Sequence, residues 1–331
     1  MQAAVFREIN QPLVVEQRET PEPNSGEVLV RLKAAALNRR DYWITQGRYP
    51  GIRSGVIQGS DGAGVVEKVG SDVDTAWKEK EIVINPGLEW GNDPQVQSRQ
   101  FHILGMPADG TFAEAIIVPF TAIYEKPSHL DWHSAAALPL TGVTAYRAVT
   151  RAKVNEGSVV LITGIGGGVA LMAMQICQAL GARVLVTSSS EEKLHRALEF
   201  GAVGGFLYSQ DDWPKQMLSQ HGPVDTVIDG AGGAGYRHLL QVTGPGGCIV
   251  NYGATAGPPE TMDLFKLFWK QLKLIGSTMG SPDDFQQMLR LGSQNNVTPV
   301  IDSVHSLVDV NKALGKMMAC EQFGKLVISL S

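Results

Sequence analysis

The chain has 331 residues, beyond the length at which a single core usually stops growing, so two domains are expected. Hydrophobic residues make up 44% and charged residues 18%, which suits a well-packed globular protein and excludes a disordered one. The net charge of -5 speaks against nucleic-acid and membrane-surface partners, because either would require a basic face.

No apolar run reaches the length of a membrane span. Met1–Glu8 lacks a basic flank and a long apolar stretch, so no signal peptide is expected there. Cys177, Cys248 and Cys320 lie far apart in apolar surroundings. That is neither a disulfide framework nor a metal cluster, and it predicts a cytoplasmic protein.

Up to about Phe120 the chain reads as short strands broken by turns. Val28, Val30 and Leu32 alternate with Leu29, Arg31 and Lys33, and a second strand runs between Gly62 and Gly70. Pro86 to Gly110 is polar and aperiodic, so a long surface loop is predicted. From Ser134 the pattern changes. Strands at 159–163, 183–187, 206–208, 224–229 and 248–252 alternate with helices at 168–180, 191–200, 211–220 and 236–242. That alternation predicts a parallel, doubly wound sheet. A further strand at 272–276, helices from Pro282 to Gly292 and from Asp309 to Glu321, and a last strand at 326–328 follow.

The most informative stretch is Val159–Thr163 followed by Gly164-Ile165-Gly166-Gly167-Gly168-Val169-Ala170. A strand, a tight glycine turn and a helix in this order place a pyrophosphate on backbone N–H groups at the helix N-terminus. Gly164, Gly167 and Ala170 hold the G-x-x-G-x-x-A spacing, and Gly168 and Val169 open the helix. An NAD site usually carries an acid at the end of the next strand, for the ribose 2′-hydroxyl. Here that place holds Ser188, Ser189 and Ser190, with Lys193 nearby as a cation. Hydroxyls and a cation suit a 2′-phosphate that a carboxylate would repel. Glu191 and Glu192 count against this, yet they also fit a helix capped by Ser190 with acids in its first turn. The residues favour NADP(H) over NAD.

At this level of detail the chain resembles the medium-chain dehydrogenase/reductase superfamily, in its zinc-free quinone oxidoreductase branch. The resemblance rests on Leu37-Asn38-x-x-Asp41, Gln46-Gly47-Arg48-Tyr49-Pro50 and Gly59-Ser60-Asp61-Gly62-Ala63-Gly64, then Ala136-Ala137-Leu138 and Gly142-Val143-Thr144-Ala145. The glycine turn, Gly276-Ser277-Thr278-Met279-Gly280 and Phe323-Gly324-Lys325 extend it over nearly the whole chain. It implies an α/β protein with a GroES-like, β-rich catalytic domain at 1–124 and 266–331 and a Rossmann NADP-binding domain at 125–265. It implies that Lys193 and Tyr208 grip the 2′-phosphate. It also implies that Asn38, Thr144, Gly253, Met279 and Lys325 lie near the nicotinamide end, and that the strand at 272–275 pairs across a two-fold in a homodimer.

The departures from the family pattern matter as much. Zinc-dependent relatives use a cysteine and a Gly-His-Glu motif, whereas this chain has Asn38 and Ser60-Asp61 there, and its long loop has no cysteines. Zinc selects thiolates and imidazoles, so no metal site is expected. Without a metal, lowering an alcohol's pKa is difficult, and reducing a small polarised acceptor is the easier reaction. The expectation is NADPH-dependent hydride transfer to a quinone or an α,β-unsaturated carbonyl. Tyr49 matches the tyrosine of similar enoyl reductases and is the candidate proton donor; the bland alternative is a packing aromatic in a Tyr-Pro-Gly turn. Asn38 is the second catalytic candidate, and Tyr42 and Trp43 are candidates for the substrate pocket. Two other functions stay open: a zinc-type alcohol dehydrogenase, and a non-catalytic NADPH-binding redox sensor.

Overall fold

The computed structural model describes residues 1–330, and all elements below are those of the described residues. Contacts divide them into two compact units: Met1–Val143 together with the stretch from Ser281 onward, and Thr144–Gly280. No helix among the described residues is long and apolar enough to cross a membrane.

The chain enters the first unit through β1 (Gln2–Val5), β2 (Val14–Gln17), β3 (Glu27–Ala36), α1 (Arg39–Thr45), β4 (Asp61–Val69) and β5 (Glu81–Ile84). Next come β6 (Gly87–Leu88), β7 (His102–Ile103), β8 (Ala115–Pro119), β9 (Ile123–Glu125), α2 (Trp132–Ala137) and α3 (Pro139–Arg151). The second unit holds β10 (Val159–Ile162), α4 (Gly168–Ala179), β11 (Arg183–Ser188), α5 (Glu191–Glu199), β12 (Gly204–Leu207) and α6 (Trp213–His221). It continues with β13 (Val224–Asp229), α7 (Tyr236–Val242), β14 (Thr243–Asn251), α8 (Leu264–Trp269) and β15 (Lys273–Gly276). The chain then returns to the first unit with α9 (Pro282–Asn295), β16 (Ile301–Ser306), α10 (Val310–Met318) and β17 (Lys325–Ser329).

The first unit is built on a sheet of order β16-β17-β3-β4-β5-β9, with β8 also paired to β3. All its pairs are antiparallel except β16 with β17. Period-two alternation explains β3: Val28, Val30 and Leu32 point into a cluster with Val66, Ile82, Ile84 and Val118, while Arg31 reaches solvent. Each such buried aliphatic side chain stabilises the sheet by about 1.5–3 kcal/mol. This is the β-rich half that the resemblance leads one to expect.

The second unit is a parallel sheet of order β12-β11-β10-β13-β14-β15. Leu161, Leu185, Val227 and Ile249 from its central strands pack with Trp213, Met217 and Leu239 from the flanking helices. The strand order reverses between β10 and β13. Ligands of open α/β sheets bind at the carboxyl ends of the strands at such a switch point.

Local structure departs from expectation in three places. The stretch from Pro86 to Gly110 carries a short ladder, with Gly87 opposite Ile103 and Leu88 opposite His102. The strand expected at 206–208 runs from Gly204 to Leu207 and leaves Tyr208 just beyond it. The unit boundaries fall at Val143/Thr144 and Gly280/Ser281 rather than after residues 124 and 265. Two contacts account for this: α2 packs on β3 and β4, and β15 closes the parallel sheet by pairing with β14.

Candidate functional site

In the second unit, β10 ends at Ile162 and the chain turns through Gly164 at φ 65° and Gly166 at φ 111°, left-handed conformations that favour glycine. The turn is tied to the neighbouring strand. Ile165 donates its N–H to the Thr187 carbonyl at 2.8 Å, and the Gly164 N–H reaches Thr187 Oγ1 at 3.4 Å. α4 follows directly, with Gly167 at its N-cap and no side chain capping it. The first-turn amides of Gly168 and Val169 are thus left for an anion, as a pyrophosphate cradle requires. Ala170 is buried, which lets the helix lie close on the sheet.

The residues expected to hold a 2′-phosphate gather at the carboxyl ends of β11 and β12. Ser188 pairs in register with Leu207, and the Tyr208 N–H donates to the Ser188 carbonyl at 3.0 Å. Ser190 caps α5: its Oγ accepts the Lys193 N–H at 3.3 Å, while Ser188 Oγ accepts the Ser190 N–H at 3.2 Å. Each of these hydroxyls therefore accepts from backbone and keeps its own hydrogen to give. Ser189 is exposed, Lys193 is half-buried, and Tyr208 is 51% exposed. Glu191 and Glu192 lie in the first turn of α5, where the helix dipole favours acids.

Asp229, at the end of β13, binds the switch end of this sheet together. Its carboxylate accepts from Thr163 Oγ1 at 2.6 Å, Gly232 N at 3.0 Å and Asn251 Nδ2 at 2.8 Å. The Tyr236 hydroxyl donates to Asn251 Oδ1 at 2.7 Å, and burial, then the Asp229 charge, push that phenol up to about 12. Thr187 and Asp229 are absent from the residues singled out in the sequence. The available signal is a polar residue closing an apolar strand of a parallel sheet. Gly253 is exposed just after β14. Thr144 Oγ1 lies 3.8 Å from the Met279 sulfur, and Met279 is buried at φ 44°.

In the first unit a second constellation forms around Asp61, the first residue of β4. Asp61 Oδ2 accepts from Asn38 Nδ2 at 2.9 Å and from Lys325 Nζ at 2.8 Å, while Oδ1 accepts the Leu140 N–H at 2.7 Å. Lys325 Nζ also donates to Asn38 Oδ1 at 2.7 Å. All three side chains are buried, so each polar group must be satisfied within the fold, and the triangle does this. Asn38 is the N-cap of α1, and the Asp41 carboxylate accepts its N–H at 2.7 Å. Burial lifts the Asp41 carboxyl to about 6, although the Arg40 charge pulls the other way.

Arg40, which the sequence analysis does not single out, is central to this region. Its Nη1 donates to Ser60 Oγ at 2.5 Å and to the Leu104 carbonyl at 2.6 Å. Its Nη2 donates to the Met106 carbonyl at 3.2 Å, and its Nε to the Tyr49 hydroxyl at 3.2 Å. Tyr42 and Tyr49 are half-buried against a cluster that includes Phe6, Leu37, Ile44 and Phe112. Trp43 stacks tilted on Tyr42, ring centroids 5.1 Å apart, under the Arg48 guanidinium.

Comparison with known proteins reads the same two halves. Residues 24–128 match the alcohol dehydrogenase GroES-like domain and residues 168–294 the zinc-binding dehydrogenase family. A zinc-type alcohol dehydrogenase-like protein, YogA, of Leptosphaeria maculans is 35% identical over 96% of this chain and 95% of its own. The chain belongs to the medium-chain dehydrogenase/reductase superfamily. Another member, the acryloyl-coenzyme A reductase of Metallosphaera sedula, is 27% identical over 99% of this chain and the whole of its own. The crystal structure of an NAD-dependent alcohol dehydrogenase superimposes with a TM-score of 0.94 at 35% identity, each chain covered completely. As a dehydrogenase/reductase, the protein is an oxidoreductase of small molecules that uses a nicotinamide cofactor.

Proposed function

We propose that this protein is a zinc-independent, NADPH-dependent reductase of quinones or α,β-unsaturated carbonyls, of the quinone oxidoreductase branch of its superfamily. The observation that carries the reading is the hydrogen-bonded set Asn38–Asp61–Lys325. Zinc needs thiolate or imidazole donors, and the family's ligand positions here offer an amide, a hydroxyl and one carboxylate. Their oxygens already receive hydrogen bonds from an ammonium and a guanidinium. A divalent cation would have to displace or sit beside two fixed positive charges, so this donor set does not suit zinc.

The cofactor preference rests on the end of β11. Ser188, Ser189 and Ser190 stand where a carboxylate would select NAD, and Lys193 and Tyr208 lie at the same end of the sheet. Hydroxyl and ammonium donors suit a phosphate dianion. A bound pyrophosphate would be held by the amides of Gly168 and Val169, and Thr144, Gly253 and Met279 of the same unit would serve the nicotinamide end; the family resemblance adds Asn38 and Lys325 as candidates for that end.

When bound, the reduced nicotinamide supplies a hydride. The protein's part is to orient the acceptor and to give a proton to the α-carbon of the enolate or to the oxyanion of the reduced quinone, and Tyr49 is that donor. Tyr42 and Trp43 line the acceptor pocket. The acryloyl-coenzyme A reductase among the relatives acts on an α,β-unsaturated thioester, the same acceptor chemistry. A zinc-type alcohol dehydrogenase is the second reading, and it fits the names of the relatives better. The donor set speaks against it.

The same reading has the protein as a cytoplasmic homodimer. β15 is an edge strand of the parallel sheet, and Phe265, Phe268 and Trp269 of neighbouring α8 are exposed. An unpaired edge flanked by exposed aromatics offers hydrogen-bonding groups and apolar surface to a second copy about a two-fold. The test of the function is NADPH oxidation against quinones, enals, enoyl thioesters and ketones. Turnover confined to ketones and alcohols would refute it.

A further inference from the structure

We infer that Arg40 is a positioning residue for proton transfer: its guanidinium fills the accepting side of the Tyr49 hydroxyl and leaves that O–H to donate to the acceptor. The inference rests on the reductase reading above and adds a residue to it.

The geometry is specific. Arg40 Nε donates to the Tyr49 hydroxyl at 3.2 Å, and the guanidinium carbon lies 4.7 Å from the centre of the Tyr49 ring. One side chain thus fixes both the oxygen and the ring face. Among the described residues nothing accepts the Tyr49 hydrogen, although the ring packs on the apolar cluster around Phe6 and Ile44. A phenol present only for packing has no need of a buried cation on its oxygen. A phenol that must give a proton gains from one, because the phenolate left behind keeps a charge-assisted partner.

Arg40 is itself held in place. It is 8% exposed, and Ser60 Oγ and the Leu104 and Met106 carbonyls take its remaining contacts, with Asp41 Oδ1 4.0 Å away. These partners come from α1, the residue before β4 and the loop after β7. They anchor the guanidinium plane independently of Tyr49, so the plane dictates where the phenol sits. Lysine could not replace it, since a single ammonium cannot reach Ser60, two carbonyls and a phenol in one plane.

For an enone, the electron pair and the proton come from separate donors. A bound reduced nicotinamide would supply the hydride for the new C–H bond at the β-carbon and be oxidised in doing so, and the alkene electron pair would pass to the enolate. The Tyr49 O–H bond breaks and its hydrogen forms the new C–H bond at the α-carbon. The phenolate oxygen retains the electron pair beside Arg40 Nε–H, and water returns the proton.

The test combines kinetics with a signal that does not depend on turnover. Arg40→Lys, Tyr49→Phe and the double variant are assayed with NADPH and the fastest acceptor of the panel. Tyr49→Phe is expected to lower kcat by about 10²-fold or more. Arg40→Lys should lower kcat by about tenfold with little change in KM for NADPH, and should cost almost nothing further in the Tyr49→Phe background. Losses that multiply in the double variant overturn the inference. In protein labelled with ¹³Cζ-tyrosine, the Tyr49 signal, assigned by its loss in Tyr49→Phe, should move in Arg40→Lys; an unmoved signal also overturns it. If Arg40→Lys does not fold, Ser60→Ala loosens the same guanidinium and should show the same coupling and the same shift. Wild-type protein that reduces no quinone, enal or enoyl thioester refutes the functional reading, and the labelled tyrosine still decides whether Arg40 holds Tyr49.

Discussion

Lys325 and Asp61, 264 residues apart in sequence, meet 2.8 Å apart with both side chains almost wholly buried. Such a pair is costly to desolvate, and it persists because Asn38 and the Leu140 amide complete the hydrogen bonding around it. Removing one partner is then much worse than removing both. Lys325→Met should destabilise the protein by about 3–5 kcal/mol, read from the urea transition. Adding Asp61→Asn should recover part of that loss. A single variant within 1 kcal/mol of wild type would show that the pair is not the anchor described here.

Asp41 sets a pH dependence of known sign. Burial raises its carboxyl from 3.8 to about 6, against the pull of Arg40. The folded state therefore holds this proton more tightly than the unfolded chain does. Its stabilising contribution is complete below pH 4 and is lost as pH rises through about 6. Asp41→Asn stays neutral, so its stability relative to wild type should climb by roughly 2 kcal/mol between pH 4 and pH 7. Parallel stability curves for the two proteins across that range would contradict the assignment.

Lys193→Ala should separate the two nicotinamide cofactors. Loss of a charge-assisted phosphate contact worth about 1.5–3 kcal/mol raises KM for NADPH by roughly 10- to 100-fold. KM for NADH should stay nearly constant, because NADH lacks the 2′-phosphate. Equal effects on both would remove Lys193 from the phosphate site.

Phe265→Glu and Trp269→Glu place charges on the exposed face of α8 and should shift the protein towards monomer, measured by light scattering on a sizing column. Both side chains are exposed in the single chain, so stability should change by less than about 0.5 kcal/mol. A dimeric mass kept by the double variant, or a monomeric mass in the wild type, would exclude the proposed α8 interface.

Much of the fold was legible in the sequence because its signals are local. Alternation in β3, the apolar strands from β10 to β14 and the glycine turn each reveal themselves within about ten residues. The candidate site divides along the same line. Gly164, Ser190 and Lys193 follow a strand–turn–helix pattern and could be found from it. Arg40, Thr187 and Asp229 could not, because their roles lie in contacts with residues such as Leu104, Gly164 and Asn251. Lys325 was reached through family resemblance alone. Its local surroundings, Phe323-Gly324-Lys325-Leu326, give no hint that its ammonium lies on Asp61. The membership of β15 was not legible for a related reason: it looks like any short apolar strand, and only its pairing with β14 assigns it to the parallel sheet.

The most direct test of the central claim is elemental analysis of the purified protein, paired with NADPH-dependent reduction of an enal or quinone before and after exhaustive chelation. Far less than one zinc per chain and an unchanged rate after chelation are expected. About one zinc per chain, with activity lost on chelation and restored by zinc, would contradict the claim.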